Sequence, residues 1–132
     1  MTTARPFLMF QDGNAQSALD LYLATFPESR IVRVERHGPT DPGPLDTIKL
    51  AVFTLCGREF MCSDSPIRHG FSFTPSSSTF VDFDSADELE RVFAVLSEGG
   101  RVLMPLGNYG FSERFGWVDD RFGVSWQLNL AA

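Results

Sequence analysis

One order of predicted elements occurs twice in this chain of 132 residues, and it limits the folds that the chain can adopt. In each half a short apolar strand leads into an amphipathic helix, a breaker ends the helix, and three strands follow. We place the first module at about residues 5–64, a linker at residues 65–75 and the second module at about residues 76–130. This duplication predicts a single α+β domain, residues 1–132, made of two tandem βαβββ modules.

The first module is defined by its helix and by the breaks around it. Asn14 is predicted to cap a helix with one apolar stripe, and Pro27 is predicted to end that helix. The segment from Gly38 to Pro44 contains three prolines and is predicted to be an irregular loop. The strands of this module are predicted at residues 6–10, 29–38, 47–55 and 59–63.

The second module repeats that order with clearer helix signals. Ser85 and Glu88 have the spacing of a capping box, and Gly99 and Gly100 are predicted to end the helix. The strands of this module are predicted at residues 78–83, 101–106, 108–117 and 124–130.

The last strand indicates what the repeated sheets enclose. Its apolar positions alternate with polar, uncharged ones, which are Ser125, Gln127 and Asn129. Charged residues would be expected on a face in bulk water, so we interpret the polar face as the lining of a sheltered cleft. The two modules are therefore predicted to form a curved mixed sheet around a shared cleft.

Composition narrows the classes of partner. The net charge of −6 and the pI near 4.7 disfavour nucleic acid and anionic membranes, and no stretch reaches transmembrane length. A cytoplasmic protein is expected. The spacing of Cys56 and Cys62 fits neither a redox pair nor a zinc site, which predicts reduced thiols. The 13 Phe residues predict an aromatic-lined cavity or a subunit interface, or simply a Phe-rich core.

Three segments carry a resemblance to a known family. They are Asp12–Ala15, Phe71–Pro75 and the sequence from Gly116 to Gln127. Together with the βαβββ duplication, they resemble the vicinal oxygen chelate superfamily, which includes the glyoxalases and bleomycin-resistance proteins. Within it, they are most similar to the PhnB-like branch, whose members often carry the label 3-demethylubiquinone-9 3-methyltransferase.

The resemblance implies positions for a divalent metal ion on the first, fourth, fifth and eighth strands. These positions fall on Phe7 or Leu8, on Met61 or Cys62, near Ser78, and on Gln127. Only Gln127 is a ready ligand for a hard divalent ion, and one neutral amide is a weak anchor. We therefore expect no metal at this site.

The methyltransferase label implies S-adenosylmethionine as a cofactor. Enzymes of that kind commonly carry a glycine-rich turn from a strand into a helix. The segment from Gly107 to Gly110 lies instead between two predicted strands. The residues do not support the label, and no cofactor is expected.

Three side chains are candidates for acid or base chemistry. Asp64 and Asp82 lie on or at the end of predicted strands, where partial burial would raise the carboxyl pKa. His69 lies beside the linker phenylalanines. The alternative is structural: the carboxylates are solvated or bonded to backbone or Arg, and the histidine packs in its loop.

Three hypotheses about function remain open. The first is a metal-independent protein that binds a small molecule in the cleft and acts as a homodimer. The second is a lyase or transferase-type enzyme acting on a small oxygenated substrate, and the third is a structural dimer whose cleft is filled by its own side chains. For the first, the predicted ligand-binding residues are Phe7, Phe60, Cys62, Phe71, Phe73, Ser78, Tyr109 and Gln127.

Overall fold

The structure, a computed structural model, describes residues 1–132, which divide into two compact units. Unit 1 is Met1–Ser72 and unit 2 is Phe73–Ala132. Each unit contains one helix and one mixed sheet of four strands. The predicted α+β fold of two tandem βαβββ modules is confirmed.

Unit 1 has the strand order β1-β4-β3-β2. Strand β1 pairs parallel with β4, whereas β4 with β3 and β3 with β2 are antiparallel. Its elements are β1 (Phe7–Phe10), α1 (Ala15–Thr25), β2 (Arg30–Arg36), β3 (Ile48–Leu55) and β4 (Arg58–Asp64).

A buried carboxylate, rather than the predicted cap, holds the start of α1. Asn14 occupies the N-cap position but its side chain accepts no capping hydrogen bond, so that prediction was wrong. Asp64, at the end of β4, accepts a hydrogen bond from Ala15 N at 2.9 Å. Its other oxygen accepts from Ile48 N at 2.8 Å. One side chain thus joins α1, β3 and β4, because it takes an N–H group that the helix leaves unpaired.

The turn between β3 and β4 explains why Cys56 and Gly57 follow each other. Both residues have positive φ, 54° and 76°, as the tight hairpin turns that suit twisted strands require. Their N–H groups donate to Pro27 O and Glu28 O at 3.0 and 3.1 Å. The turn is therefore anchored to the segment that follows α1.

Unit 2 has the strand order β5-β8-β7-β6, with β5 parallel to β8 and the other pairs antiparallel. The predicted helix cap is confirmed, since the Ser85 hydroxyl accepts from Glu88 N at 3.3 Å. The elements of this unit are β5 (Thr79–Phe83), α2 (Ala86–Ser97), β6 (Arg101–Gly107), β7 (Phe115–Asp119) and β8 (Ser125–Leu130).

The seventh strand is shorter than predicted, because residues 108–114 form a loop. Asn108 accepts a hydrogen bond from Gly110 N at 2.8 Å, and the hydroxyl of Ser112 accepts from Arg114 N at 3.2 Å. Such local bonds offer the backbone an alternative to strand pairing. Gly110 also has a φ of 95°, which a strand does not allow.

The helix side of the unit 2 sheet is closely packed. A Cβ atom on Gly116 would lie 2.6 Å from the Phe93 ring of α2, so only glycine fits there. Trp126 and Leu128 of β8 lie on this same face and are fully buried. The apolar positions of the last strand therefore lie in the core, where each large apolar side chain contributes about 1.5–3 kcal/mol.

Strand β6 forms one edge of this sheet and contains Pro105. Proline has no N–H to donate, so it is tolerated at an edge but not in a central strand. The pairing of β6 with β7 shifts register on both sides of Met104, which marks bulges in this edge strand.

No helix in the structure combines the length and the apolar character needed to cross a membrane.

Candidate functional site

The strand register assigns the side chains of unit 2 to two faces. One face packs on α2 through Gly116, as described above. The opposite face, which we call the helix-free face, carries Phe80, Gln127 and Trp117 side by side in one row, since these residues pair across β5, β8 and β7. The neighbouring row consists of Asp82, Asn129 and Phe115.

Hydrogen bonds fix the polar side chains along β8. Gln127 Nε2 donates to Ser78 Oγ at 2.7 Å, and Asn129 Nδ2 donates to Asp82 Oδ1 at 2.9 Å. The Oδ1 atom of Asn129 is buried and accepts no hydrogen bond. A buried acceptor without a partner is rare in folded proteins, and it marks a place where a donor is favourable.

Four aromatic rings lie together at one end of the helix-free face, and we call them the aromatic cluster: Phe80, Tyr109, Phe111 and Phe115. Phe115 is buried at the centre, with ring centroids at 4.9 Å from Phe111 and 6.1 Å from both Phe80 and Tyr109. The outer rings remain open, with 51% of Phe80 and 65% of Phe111 exposed. Such exposure of contiguous large rings is typical of a binding surface.

A depression of about 440 Å³ adjoins the cluster. Phe111, Glu113 and Asn129 contribute to its wall. The Glu113 carboxylate has no hydrogen bond or ion pair. The depression has the size of a small-molecule site, and it combines an aromatic ring, an amide and a carboxylate.

The helix-free face of unit 1 has a methionine at the position where unit 2 has Gln127. Phe7 pairs with Met61 there, three positions before the last pair of β1 and β4. Phe80 pairs with Gln127 three positions before the last pair of β5 and β8. The duplicated register therefore makes Phe7 equivalent to Phe80, and Met61 equivalent to Gln127.

These equivalent positions do not form a donor set for a divalent ion. Three of the four positions are phenylalanine or methionine, which offer no oxygen or nitrogen to a hard metal ion. The hard donors are therefore the amide of Gln127 and the hydroxyl of Ser78 beside it. Across the whole chain, no three His, Cys, Asp or Glu side chains come together as a metal site would require. The ion implied by the superfamily does not fit these residues.

Two predicted ligand-binding residues of unit 1 lie in the core instead, and this corrects their assignment. Asp64 points from β4 towards α1, where it bonds to Ala15. Because side chains alternate along a strand, Phe60 and Cys62 lie on this same face of β4. Phe60 stacks on Phe53, with ring centroids 5.6 Å apart. Both side chains are buried, so neither contacts a ligand at the surface of the unit.

The position of Asp64 also argues against the predicted role of a base. The side chain is buried, and each carboxylate oxygen accepts a backbone N–H. Both oxygens are occupied by structural hydrogen bonds. Asp82 differs, since it is exposed on the helix-free face of unit 2 and bonded to Asn129.

His69 and Phe71 form part of the last segment of unit 1. Their rings stack with centroids 4.9 Å apart, and Phe71 is largely exposed. Gln11 fixes this segment, because it accepts from His69 N at 2.6 Å and donates to Phe71 O at 2.7 Å. Phe73 belongs to unit 2, where its ring lies against Gly123. The two linker phenylalanines thus pack in different units.

Glu113 and three rings of the aromatic cluster escaped the sequence prediction. Phe80 and Phe115 lie on strands whose register was unknown, and Phe111 lies in a segment predicted to be a strand. Asn108 and Gly110, which lie just before Phe111, could have indicated a loop there, since both residue types favour loops.

The two cysteines are expected to differ strongly in reactivity. Cys56 is exposed, whereas burial and then the Asp64 charge raise the pKa of the Cys62 thiol to about 12. Because the thiolate is the nucleophile, a disulfide reagent at pH 8 should label about one thiol per folded chain and two per unfolded chain. Rapid labelling of both thiols in the folded protein would contradict the burial of Cys62.

The same thiol makes stability depend on alkaline pH. An ordinary thiol loses its proton near pH 9.0, whereas Cys62 holds it to about 12 in the folded chain. Between these values the unfolded chain binds fewer protons, so the free energy of unfolding should fall as the pH rises. Denaturant titrations of the wild type and of Cys62→Ala should show a smaller fall in the variant.

The two βαβββ units place the chain in the class of glyoxalase-type proteins of the vicinal oxygen chelate superfamily. The family described as 3-demethylubiquinone-9 3-methyltransferase matches over residues 2–129. The chain belongs to that family, in its PhnB-like branch.

Solved structures agree with this assignment. A PhnB protein from Bacillus cereus, also described as a 3-demethylubiquinone-9 3-methyltransferase, is 45% identical, with a TM-score of 0.95 over 98% of this chain and 100% of that chain. Protein PA1353 from Pseudomonas aeruginosa is 31% identical, with a TM-score of 0.84 over 98% of each chain. The fosfomycin resistance protein FosX from Listeria monocytogenes shares the fold alone, at 12% identity and a TM-score of 0.65 over 100% of this chain and 94% of that chain.

A shorter likeness involves a different protein. Over 41 residues the chain is 46% identical to histidinol-phosphate aminotransferase 2 from Methylococcus capsulatus. The matched stretch covers 31% of this chain and 11% of the aminotransferase. The likeness therefore concerns a small segment of that protein.

The family description implies S-adenosylmethionine, and the residues do not fit it in the usual way. Gly107 ends β6 and Gly110 lies in the loop before β7, so neither begins a helix. The two helices begin after Asn14 and Ser85, and neither start is a glycine-rich turn. No step through this cofactor follows from the structure.

Proposed function

We propose that this protein binds a small molecule on the helix-free face of unit 2. The observation that carries the proposal is the position of a buried, unpaired amide oxygen, Asn129 Oδ1, beside exposed aromatic rings. The rings supply apolar contact area, and the amides of β8 supply orientation. This combination of aromatic walls and a few placed polar groups is common in small-molecule sites.

We further propose that binding needs no metal ion. The support is the chemistry of the donors, which are one amide and one hydroxyl where the superfamily places its ligands. Homodimer formation and a place in the cytoplasm stay predictions from the sequence.

An enzyme acting on a small oxygenated substrate is the second candidate. The observation that favours it is Asp82, an exposed carboxylate held by Asn129 within the same row as Phe115. In that reading Asp82 removes a proton from the ligand, and Asn129 positions Asp82. A structural dimer with a filled cleft remains an alternative from the sequence.

Benzamide is a suitable first probe, because it offers one ring and one amide. We expect saturable shifts of the side-chain amide signals of Gln127 and Asn129 in ¹⁵N-resolved NMR. Gln127→Ala should weaken binding about three- to tenfold, since one hydrogen bond contributes about 0.5–1.5 kcal/mol. Excess EDTA should leave the affinity unchanged.

Gln16→Ala is the matched control, since it also removes a glutamine side chain but from α1 in unit 1. It should bind benzamide as the wild type does. The proposal fails if no signal of unit 2 shifts, or if the two glutamine variants behave alike. Loss of binding on adding EDTA, restored by a divalent metal ion, would overturn metal independence alone.

A further inference from the structure

We propose that the ligand of the helix-free face is an organic cation, an alkylated ammonium group attached to a small apolar body. This inference rests on the proposed function and names the chemical class of its ligand. It depends on three features of unit 2: the geometry of the aromatic cluster, the carboxylates beside it, and the engagement of the nearby arginines.

The aromatic cluster presents ring surfaces at several angles. Phe111 meets Phe115 at 70° and Tyr109 meets Phe115 at 89°, so the exposed rings surround a central, buried one. The Tyr109 hydroxyl donates to Pro105 O at 2.6 Å and holds that ring in place. Ring faces carry negative electrostatic potential and attract cations, and alkylated ammonium ions are bound in this way by groups of rings.

Two carboxylates add negative charge at the same place. Asp82 shares a row with Phe115, and Glu113 shares the wall of the depression with Phe111. Neither carboxylate forms an ion pair, and the partner of Asp82 is the neutral amide of Asn129. Both charges therefore remain available to a ligand.

Two of the four arginines of unit 2 are paired with other carboxylates. Arg101 pairs with Asp119 at 3.1 Å, and Arg114 pairs with Glu90 at 2.6 Å. The net charge of −6 for the whole chain also favours a cationic ligand over an anionic one. An anionic ligand would meet repulsion, whereas a cation gains from both the rings and the carboxylates.

Choline and its neutral isostere 3,3-dimethyl-1-butanol test this directly, because they differ mainly in charge. The shift of the Asn129 side-chain amide signal during titration gives a dissociation constant for each compound. We expect the constant for choline to be at least fivefold lower than that for the neutral alcohol. The preference should shrink as NaCl is raised, since salt screens exposed charges.

Two variants separate the contributions of ring and charge. Phe111→Leu keeps an apolar side chain but removes a ring, and Asp82→Asn keeps the shape but removes the charge. Each should reduce the preference for choline at least twofold. Glu98→Gln is the control, because it removes one charge at the end of α2, and it should leave the preference unchanged.

The outcomes are distinguishable. If benzamide binds but choline binds no better than the alcohol, the cation inference is overturned and the proposed function stands. If benzamide, choline and the alcohol all leave unit 2 unshifted, both proposals fail. A choline preference that persists in the triple variant Phe111→Leu, Asp82→Asn, Glu113→Gln would also overturn the inference, because both carboxylates and the exposed ring named here would not be its source.

Discussion

Replacement of Asp120 by alanine is expected to lower the free energy of unfolding by about 4 kcal/mol. The buried carboxylate accepts from Phe122 N at 2.8 Å and from Val124 N at 3.1 Å through Oδ1. Its other oxygen accepts from Trp126 Nε1 at 2.9 Å. Alanine would leave three donors without this acceptor, and each buried unsatisfied group costs about 1–3 kcal/mol. Chemical denaturation followed by tryptophan fluorescence and circular dichroism measures the difference.

Two further variants locate the effect. Trp126→Phe removes one of the three donors and keeps most of the apolar ring, so it should cost clearly less than Asp120→Ala. Asp84→Ala removes an exposed carboxylate of the same unit and should change stability by less than about 1 kcal/mol. A loss below about 1 kcal/mol for Asp120→Ala would show that this carboxylate does not hold the turn between β7 and β8.

Replacement of Asp64 by alanine is expected to destabilise the protein by about 3 kcal/mol. The carboxylate is buried and accepts from the first N–H of α1 and from the first residue of β3. Its loss leaves two buried donors unpaired, and neither can reach water without movement of the helix or the strand. The same denaturation experiment measures this effect.

Asp12→Ala is the matched control in unit 1, because Asp12 is exposed and paired with Arg68 at the surface. An exposed pair contributes at most about 1 kcal/mol. Asp64→Ala should also bind benzamide with unchanged affinity under conditions where it is folded, since Asp64 lies in unit 1. If the Asp64→Ala protein is folded and as stable as the wild type, the structural role of Asp64 is contradicted and a role as a base becomes open again.

Much of the fold could be predicted because the relevant signals are local. The breaker Pro27, the Ser85 capping box and the glycines after α2, Gly99 and Gly100, each act within a few residues. These signals repeat in one order along the chain, and so the βαβββ duplication could be recognised before the structure was known.

The errors arose where contacts are long-range. Asp64 bonds to residues 49 and 16 positions away, and no local pattern indicates such partners. In β4 the run Phe60, Met61, Cys62 is apolar on both faces, so the alternation did not show which side chains face α1. In the structure Asp64 points towards α1, and Cys62, two residues earlier, points the same way into the core.

The aromatic cluster could not be predicted for a related reason. Its rings come from β5, from the loop before β7, and from β7 itself, and only the register of three strands brings them together. Gln127 was predicted as a polar contact from the alternation of the last strand. Its hydrogen bond to Ser78 joins two residues that were both predicted to contact a ligand.

Pro105 in the edge strand β6 affects how this protein behaves in concentrated solution. An intruding strand from another molecule would need a continuous row of donors along that border, and the pyrrolidine ring interrupts the row. The bulges around Met104 bend the same border away from a flat template. Unit 2 is thereby protected against fibre-like self-association at β6, while the outer rings on its helix-free face stay exposed.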